Sequence, residues 1–163
     1  MAAVRFGEDA LEVLAQAHRR QRAALDALDA LARADAPGPR RCAALAAKLL
    51  PDLRQHLRDE EAGLFPLLLG RAEADDALPA TLARLSQEHR ALERAARAAR
   101  AALTALAEAP SDLDRATVTA YAEAKRRHVM FETAVVAPLA RARLTAADCA
   151  ALAQRLRAAP GPA

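Results

Sequence analysis

Tryptophan is absent from this 163-residue chain, tyrosine occurs once, and aromatic residues together make up 2%. Glycine is scarce as well, with five residues. What remains is dominated by Ala, Leu, Arg and Glu, all strong helix formers, so the composition points to an all-α protein. Cysteine occurs only as Cys42 and Cys149, without CxxC spacing, so no disulfide framework is legible and a reducing cytosol is the default. No window of about 18 uncharged apolar residues exists, so no transmembrane helix is expected. The opening MAAVRFGEDA places acids where a signal peptide carries its apolar stretch, and a cytoplasmic location is expected. Charge of one sign is nowhere concentrated: 24 basic residues face 21 acidic ones, and no run of five basic residues occurs. The arginines read as solvated helix faces, so neither nucleic acid nor a membrane is an expected partner.

The length suits one domain, residues 1–163, with enough chain to bury a substantial core. Apolar periodicity predicts four long helices, over residues of about 8–34, 40–71, 79–108 and 111–142. In the first, Leu14, Leu25 and Leu28 share a face with His18, and Ala36-Pro37-Gly38-Pro39 ends it. In the second, Leu45, Leu49, Leu53, His56, Glu60, Leu64 and Leu67 form a stripe stepping by three or four. The third carries Leu78, Leu82, Leu85, His89, Leu92 and Leu103. The fourth, with Ser111 as N-cap, carries Val118, Tyr121, His128, Phe131, Glu132, Val135 and Leu139. Tyr121 reads as a core residue, with a redox or hydrogen-bonding role as the alternative. Thr145 and Asp148 form a capping-box pattern before a short fifth helix, at about 146–158. Pro160–Ala163 reads as a frayed tail. Pro66 and Pro138 lie where the pattern is still helical, and each is expected to kink or end its helix; Pro51 is expected to kink the second.

What is present in small number is highly ordered. The four histidines form two copies of one pattern: His18 and His56 are 38 residues apart, His89 and His128 are 39 apart. LAQAHR from Leu14 matches LSQEHR from Leu85, and HLRDE from His56 matches HVMFE from His128. In both copies Glu follows the second His at +4, and Pro-Leu starts at +10. Four helices with short breaks pack most simply as an antiparallel up-down-up-down bundle, here two hairpins related by a pseudo-twofold axis. Each helix then directs one His inward, and the second and fourth add a Glu one turn on.

Four imidazoles and two carboxylates converging in a bundle core can hold two ions. Carboxylates suit the bridging role, and the mixed nitrogen and oxygen set fits iron, and also manganese or zinc. Ferritin-like bundles use Glu-x-x-His on two helices; this chain has no Glu followed by His at +3.

The order His, then Glu at +4, resembles the hemerythrin-like (HHE cation-binding) family. HLRDEEAGLFP from His56 to Pro66 and QEHRAL from Gln87 to Leu92 carry the resemblance. It implies a non-haem di-iron centre in an antiparallel four-helix bundle. His18, His56, His89 and His128 would be terminal ligands, and Glu60 and Glu132 would bridge. Oxygen-carrying members have a fifth His one turn after the third-helix His; here that position is Glu93, and its counterpart in the first copy is Arg22. Glu93 reads as a seventh ligand, as a group orienting one, or as a surface partner of Arg97. Glu61 and Glu88 point about 100° away from the adjacent ligands; they read as interhelical or solvent charges, or as hydrogen-bond partners of ligands. The Cys-containing N-terminal region of the member that repairs iron–sulfur centres has no counterpart before the first helix, so that role is not expected. The implied partner is a small gaseous or peroxide ligand (O2, NO or H2O2). Binding or sensing, redox enzyme and iron handling all remain open, as does the oligomeric state.

Overall fold

The computed structural model describes residues 6–74 and 77–158, with side chains from Ala10 onward. Among these residues there is no strand. Helix α1 is Phe6–Arg33. Helix α2 runs through Pro39–Arg58, a π-helical turn at Asp59–Leu64, and Phe65–Leu69. Helix α3 is Leu78–Glu108. Helix α4 runs through Asp112–Phe131, a second π-helical turn at Glu132–Val136, and Ala137–Arg143. Helix α5 is Ala146–Ala158. The Pro160–Ala163 tail lies outside the described residues.

The caps are chemically explicit. Ser111 Oγ accepts from Asp114 N at 3.1 Å. Thr145 N donates to Asp148 Oδ2 at 2.9 Å and Asp148 N to Thr145 Oγ1 at 3.2 Å, a reciprocal capping box. Each such N-cap stabilises its helix by about 1 kcal/mol. The C-terminal end of α1 is satisfied from a distance: Arg115, at the start of α4, donates to the carbonyls of Ala32 at 2.8 Å and Asp35 at 3.1 Å, and also to Ala34.

Two apolar clusters flank a polar layer. One contains Leu25, Leu28, Leu53, Leu92, Leu103 and Val118. The other contains Leu14, Leu64, Leu68, Leu85, Val136 and Leu152. Along every long helix the inward histidine falls where the chain passes from one cluster to the other. Leu and Ala dominate both clusters, as the lack of aromatics requires; Tyr121 is the one aromatic among the buried residues of the first and Phe65 among those of the second.

None of Pro51, Pro66 and Pro138 ends its helix. Helix α2 continues through Pro51, and both α2 and α4 continue past Pro66 and Pro138. The π turns explain the later two. Phe65 N donates to Glu60 O and Ala137 N to Glu132 O, each five residues back. The extra residue in the turn sits immediately before the proline and absorbs the bond that proline cannot make. It also resets the helical phase. Successive steps of four drift by about 40° each on a 3.6-residue helix, so His56, Glu60, Leu64 and Leu68 would leave a common face. With the π turn all four are buried, as are His128, Glu132, Val136 and Ala140. The expected inner residues Leu67, Val135 and Leu139 are consequently only half-buried, each displaced by the residue after it. Leu45 and Leu49 are half-buried for a different reason. They face α1 across a loosely packed gap, while Cys42, Ala46 and Leu50 fill the core.

The two hairpins therefore differ. Helices α3 and α4 pack along their length, whereas α1 leans on α4 and α5 and touches α2 sparsely. Helix α5 seats on the π turn of α2. Arg155 Nη1 donates to Gly63 O at 3.0 Å and Ala62 O at 3.4 Å. A Cβ on Gly63 would meet Leu152 Cδ1 at 3.2 Å. A branched side chain there has to push α5 away. Gly63→Val is expected to lower stability by about 1–3 kcal/mol, measured by urea unfolding. Unchanged stability would mean that α5 is not held by this contact.

Candidate metal centre

The periodicity that buries the apolar stripes also buries six polar side chains. His18 is 7% exposed, and His56, Glu60, His89, His128 and Glu132 are at most 3%. Their atoms converge. Glu132 Oε1 lies 2.7 Å from His128 Nε2 and 3.6 Å from His89 Nε2. Glu132 Oε2 lies 3.3 Å from His18 Nε2 and 3.5 Å from His56 Nε2. Glu60 approaches His56 Nε2 at 3.5 Å, His89 Nε2 at 3.4 Å and His18 Nε2 at 3.8 Å. The Nε2 atoms of His89 and His128 are 3.1 Å apart.

These groups form two ligand sets. His18 and His56 join Glu60 and Glu132 in one; His89 and His128 join the same two glutamates in the other. In each set the ligand atoms lie within 4.8 Å of one another. Despite that closeness, His18 Nε2, His56 Nε2, Glu60 Oε2 and both carboxylate oxygens of Glu132 have no hydrogen-bond partner. Buried lone pairs left unpaired cost about 1–3 kcal/mol each, and an apolar layer would be the cheaper structural solution. Buried ligand-type atoms that converge and yet are left unsatisfied could hold a metal ion between them. The donors, two imidazole nitrogens and shared carboxylates per set, fit a divalent or trivalent transition ion.

The outer ring nitrogens are held from the next helix round the bundle. Glu61 Oε1 on α2 accepts from His89 Nδ1 on α3 at 2.7 Å. Glu88 Oε2 on α3 accepts from His128 Nδ1 on α4 at 3.0 Å. Thr133 Oγ1 on α4 meets His18 Nδ1 on α1 at 3.5 Å. Such partners fix the tautomer that points Nε2 inward and raise its basicity. Glu61 and Glu88 are thus interhelical charges, hydrogen-bonded to buried histidines of the cluster. His56 Nδ1 has no such partner. Phe65, from the Leu-Phe-Pro segment, stacks on the His89 ring with centroids 5.7 Å apart.

Glu93 stands apart from both ligand sets. Its Oε1 accepts from Arg54 Nε at 2.8 Å and Arg97 Nη2 at 2.7 Å, and these guanidiniums hold its carboxyl below its ordinary pKa. Its counterpart Arg22 lines a cavity of about 210 Å³ between α1 and α4. Arg19 and Arg141 lie at the same cavity, and His18, Glu60 and Glu132 form its inner wall.

Lys125 is the residue that the sequence reading missed. It is 2% exposed, and its Nζ has no hydrogen-bond partner. Burial lowers its pKa against the opposing pull of Glu132 and Glu60. Its place one turn before His128 was the available signal.

Electrostatics around the cluster are strongly coupled. Burial alone would lower His18 and His89. The carboxylates of Glu132 and Glu60 outweigh it and raise each from an ordinary 6.5 to about 9. Burial likewise dominates at His56, which is lowered, with Lys125 adding to the effect against Glu60. Glu60 and Glu132 are both lowered, because the surrounding histidines overcome the desolvation that would raise them.

The family model for the hemerythrin HHE cation-binding domain matches residues 9–140. No curated protein and no solved structure gives a match.

Two predictions follow from this geometry. Glu60→Ala and Glu132→Ala are expected to abolish metal retention. Glu61→Gln and Glu88→Gln should weaken it about 10–100-fold, and Glu93→Ala should leave it unchanged; metal analysis after dialysis against a chelator checks the order. The second concerns pH. His18 and His89 are protonated below about 9, so metal must displace their protons. Metal affinity should rise between pH 6.5 and 9, with proton release visible by calorimetry in buffers of differing ionisation enthalpy. In the metal-free protein these raised groups add stability that is full below 6.5 and lost as pH rises through about 9, so its melting temperature should fall across that window.

Proposed function

This chain belongs to the hemerythrin HHE cation-binding family, and on that premise we propose that it holds a non-haem di-iron centre in the cytoplasm. The centre binds or reacts with a small diatomic or peroxide ligand, O2, NO or hydrogen peroxide, in sensing, stress response or iron handling. One observation carries the reading: two four-residue ligand sets share both of their carboxylates. Sharing is what a bridging role requires. His18 and His56 would hold one iron and His89 and His128 the other, with Glu60 and Glu132 serving both. Manganese and zinc suit the same donors. Bound there, iron supplies one-electron redox chemistry and affinity for diatomic and peroxide ligands. The reading of Cys42 and Cys149 as buried free thiols supports the cytoplasmic setting.

The chain's own residues then set what reaches the centre. Leu11, Leu14, Leu64 and Val136 give the cavity beside His18 an apolar wall, and its volume of about 210 Å³ admits only small ligands. Arg19, Arg22 and Arg141 line the same space and favour anionic or strongly polar species. A second reading is a di-iron redox enzyme that is peroxidase-like, an oxidase or NO-detoxifying; the arginine lining fits its peroxidase-like form best, since hydrogen peroxide is the strongly polar ligand of the three.

Anaerobic iron loading, metal analysis and optical spectra test both readings. Two irons per chain are expected. A spectral change that reverses when O2 is removed supports binding; repeated consumption of peroxide or NO with oxidation supports the enzyme. Only trace iron after loading would sink both.

A further inference from the structure

The α1–α2 gap holds a cavity of about 400 Å³, lined by residues of α1, α2 and α4. Leu25, Leu28, Leu45, Leu49 and Leu53 make it largely apolar. Its mouth carries Arg20 and Lys48 against Asp52 and Asp59, so charge there has no bias. Its inner end is different. His56, Tyr121, Lys125 and Gln21 line it. The Lys125 Nζ and the His56 Nδ1 are both buried and both without a hydrogen-bond partner. Tyr121 is 5% exposed and adds a hydroxyl donor to the same wall. The side-chain oxygen of Gln21 is also unpartnered, and a half-turn of that amide would present its NH2 instead.

The other histidines show what is missing. His89 and His128 each give their outer nitrogen to a carboxylate from the neighbouring helix, Glu61 and Glu88 respectively. His18 meets Thr133. By the same circuit the partner of His56 would come from α1, and α1 supplies no acid there. With Nε2 turned toward Glu60 and Glu132, Nδ1 carries the proton and is a donor. Two unpartnered nitrogen donors at the end of an apolar cavity, one of them a lysine that a bound anion would keep charged, match a carboxylate on an aliphatic chain.

We propose that this cavity is a second ligand site, which takes an aliphatic monocarboxylate with its headgroup on Lys125 and His56 and its chain between α1 and α2. The bound carboxylate supplies to His56 what Glu61 and Glu88 supply to their histidines, and so ties occupancy of the cavity to the orientation of one metal ligand. The site is separate from the arginine-lined cavity on the α1–α4 side, and its occupant is distinct from the small ligand of the centre.

Isothermal titration of the metal-loaded protein with octanoate and 1-octanol tests this. Octanoate is expected to bind at one equivalent per chain, at least about tenfold more tightly than 1-octanol, since only it makes charge-assisted hydrogen bonds. Affinity should rise about fourfold per methylene from butanoate to octanoate. Lys125→Met should abolish the preference for the carboxylate while metal content and 1-octanol binding persist. Should that variant fail to fold, Leu49→Trp, at a half-buried position, fills the cavity and is expected to remove binding of both compounds. No octanoate binding to the wild-type chain, equal binding of acid and alcohol, or octanoate binding unaltered by either substitution overturns the proposal. Metal content, read on the same samples, reports separately on the metal centre.

Discussion

Everything in this structure is arranged around two carboxylates, Glu60 and Glu132, held almost fully out of water among four imidazoles. Such a layer is expensive to bury, because desolvation works against every charge in it. It persists because the charges face one another: the histidines lower both acids, and the acids raise His18 and His89. The apolar clusters above and below give the layer its rigidity and its low dielectric; each long helix positions one histidine, and α2 and α4 each add a glutamate.

The π turns connect this layer to the rest of the fold. Each begins at or just before a buried glutamate of the cluster and ends two residues before a proline. They let residues four apart stay on one face through three steps, so that ligand, carboxylate and apolar seal line up along a single helix edge. In α2 the same turn also exposes carbonyls to Arg155 and brings Gly63 against Leu152. The fifth helix is thereby attached to the segment that carries Glu60 and Glu61. A change in α5 docking would act on the centre through that turn.

The two halves of the repeat part company at the positions one turn after His18 and His89. Arg22 lines the cavity leading to the centre, whereas Glu93 is engaged by Arg54 and Arg97 on the outside of the bundle. The halves differ again in packing. The second hairpin is closed, with Glu88 reaching His128 across it, and the first is open, with His56 unsupported beside a cavity. Symmetry builds the metal centre. The departures from it decide which sides of the bundle admit a ligand.

Much of this was legible in the chain itself. Helix number and ends follow from periodicity, prolines and caps, and the repeat of His and Glu spacing picks out the six buried polar residues. These are local properties, fixed by a 3.6-residue period. Three things were not legible. The phase after Glu60 and Glu132 slips by one residue, because a π turn is a compromise between proline and burial that periodicity does not encode. Glu61 and Glu88 reach histidines on neighbouring helices, a relation set by helix rotation. Lys125 is buried and unpaired because α1 and α2 do not close. Sequence alone determined that the four histidines and the two glutamates at +4 turn inward, since that depends on one helix at a time. Tertiary structure decided what each of them meets, since that depends on the distances between helices, which no single helix contains.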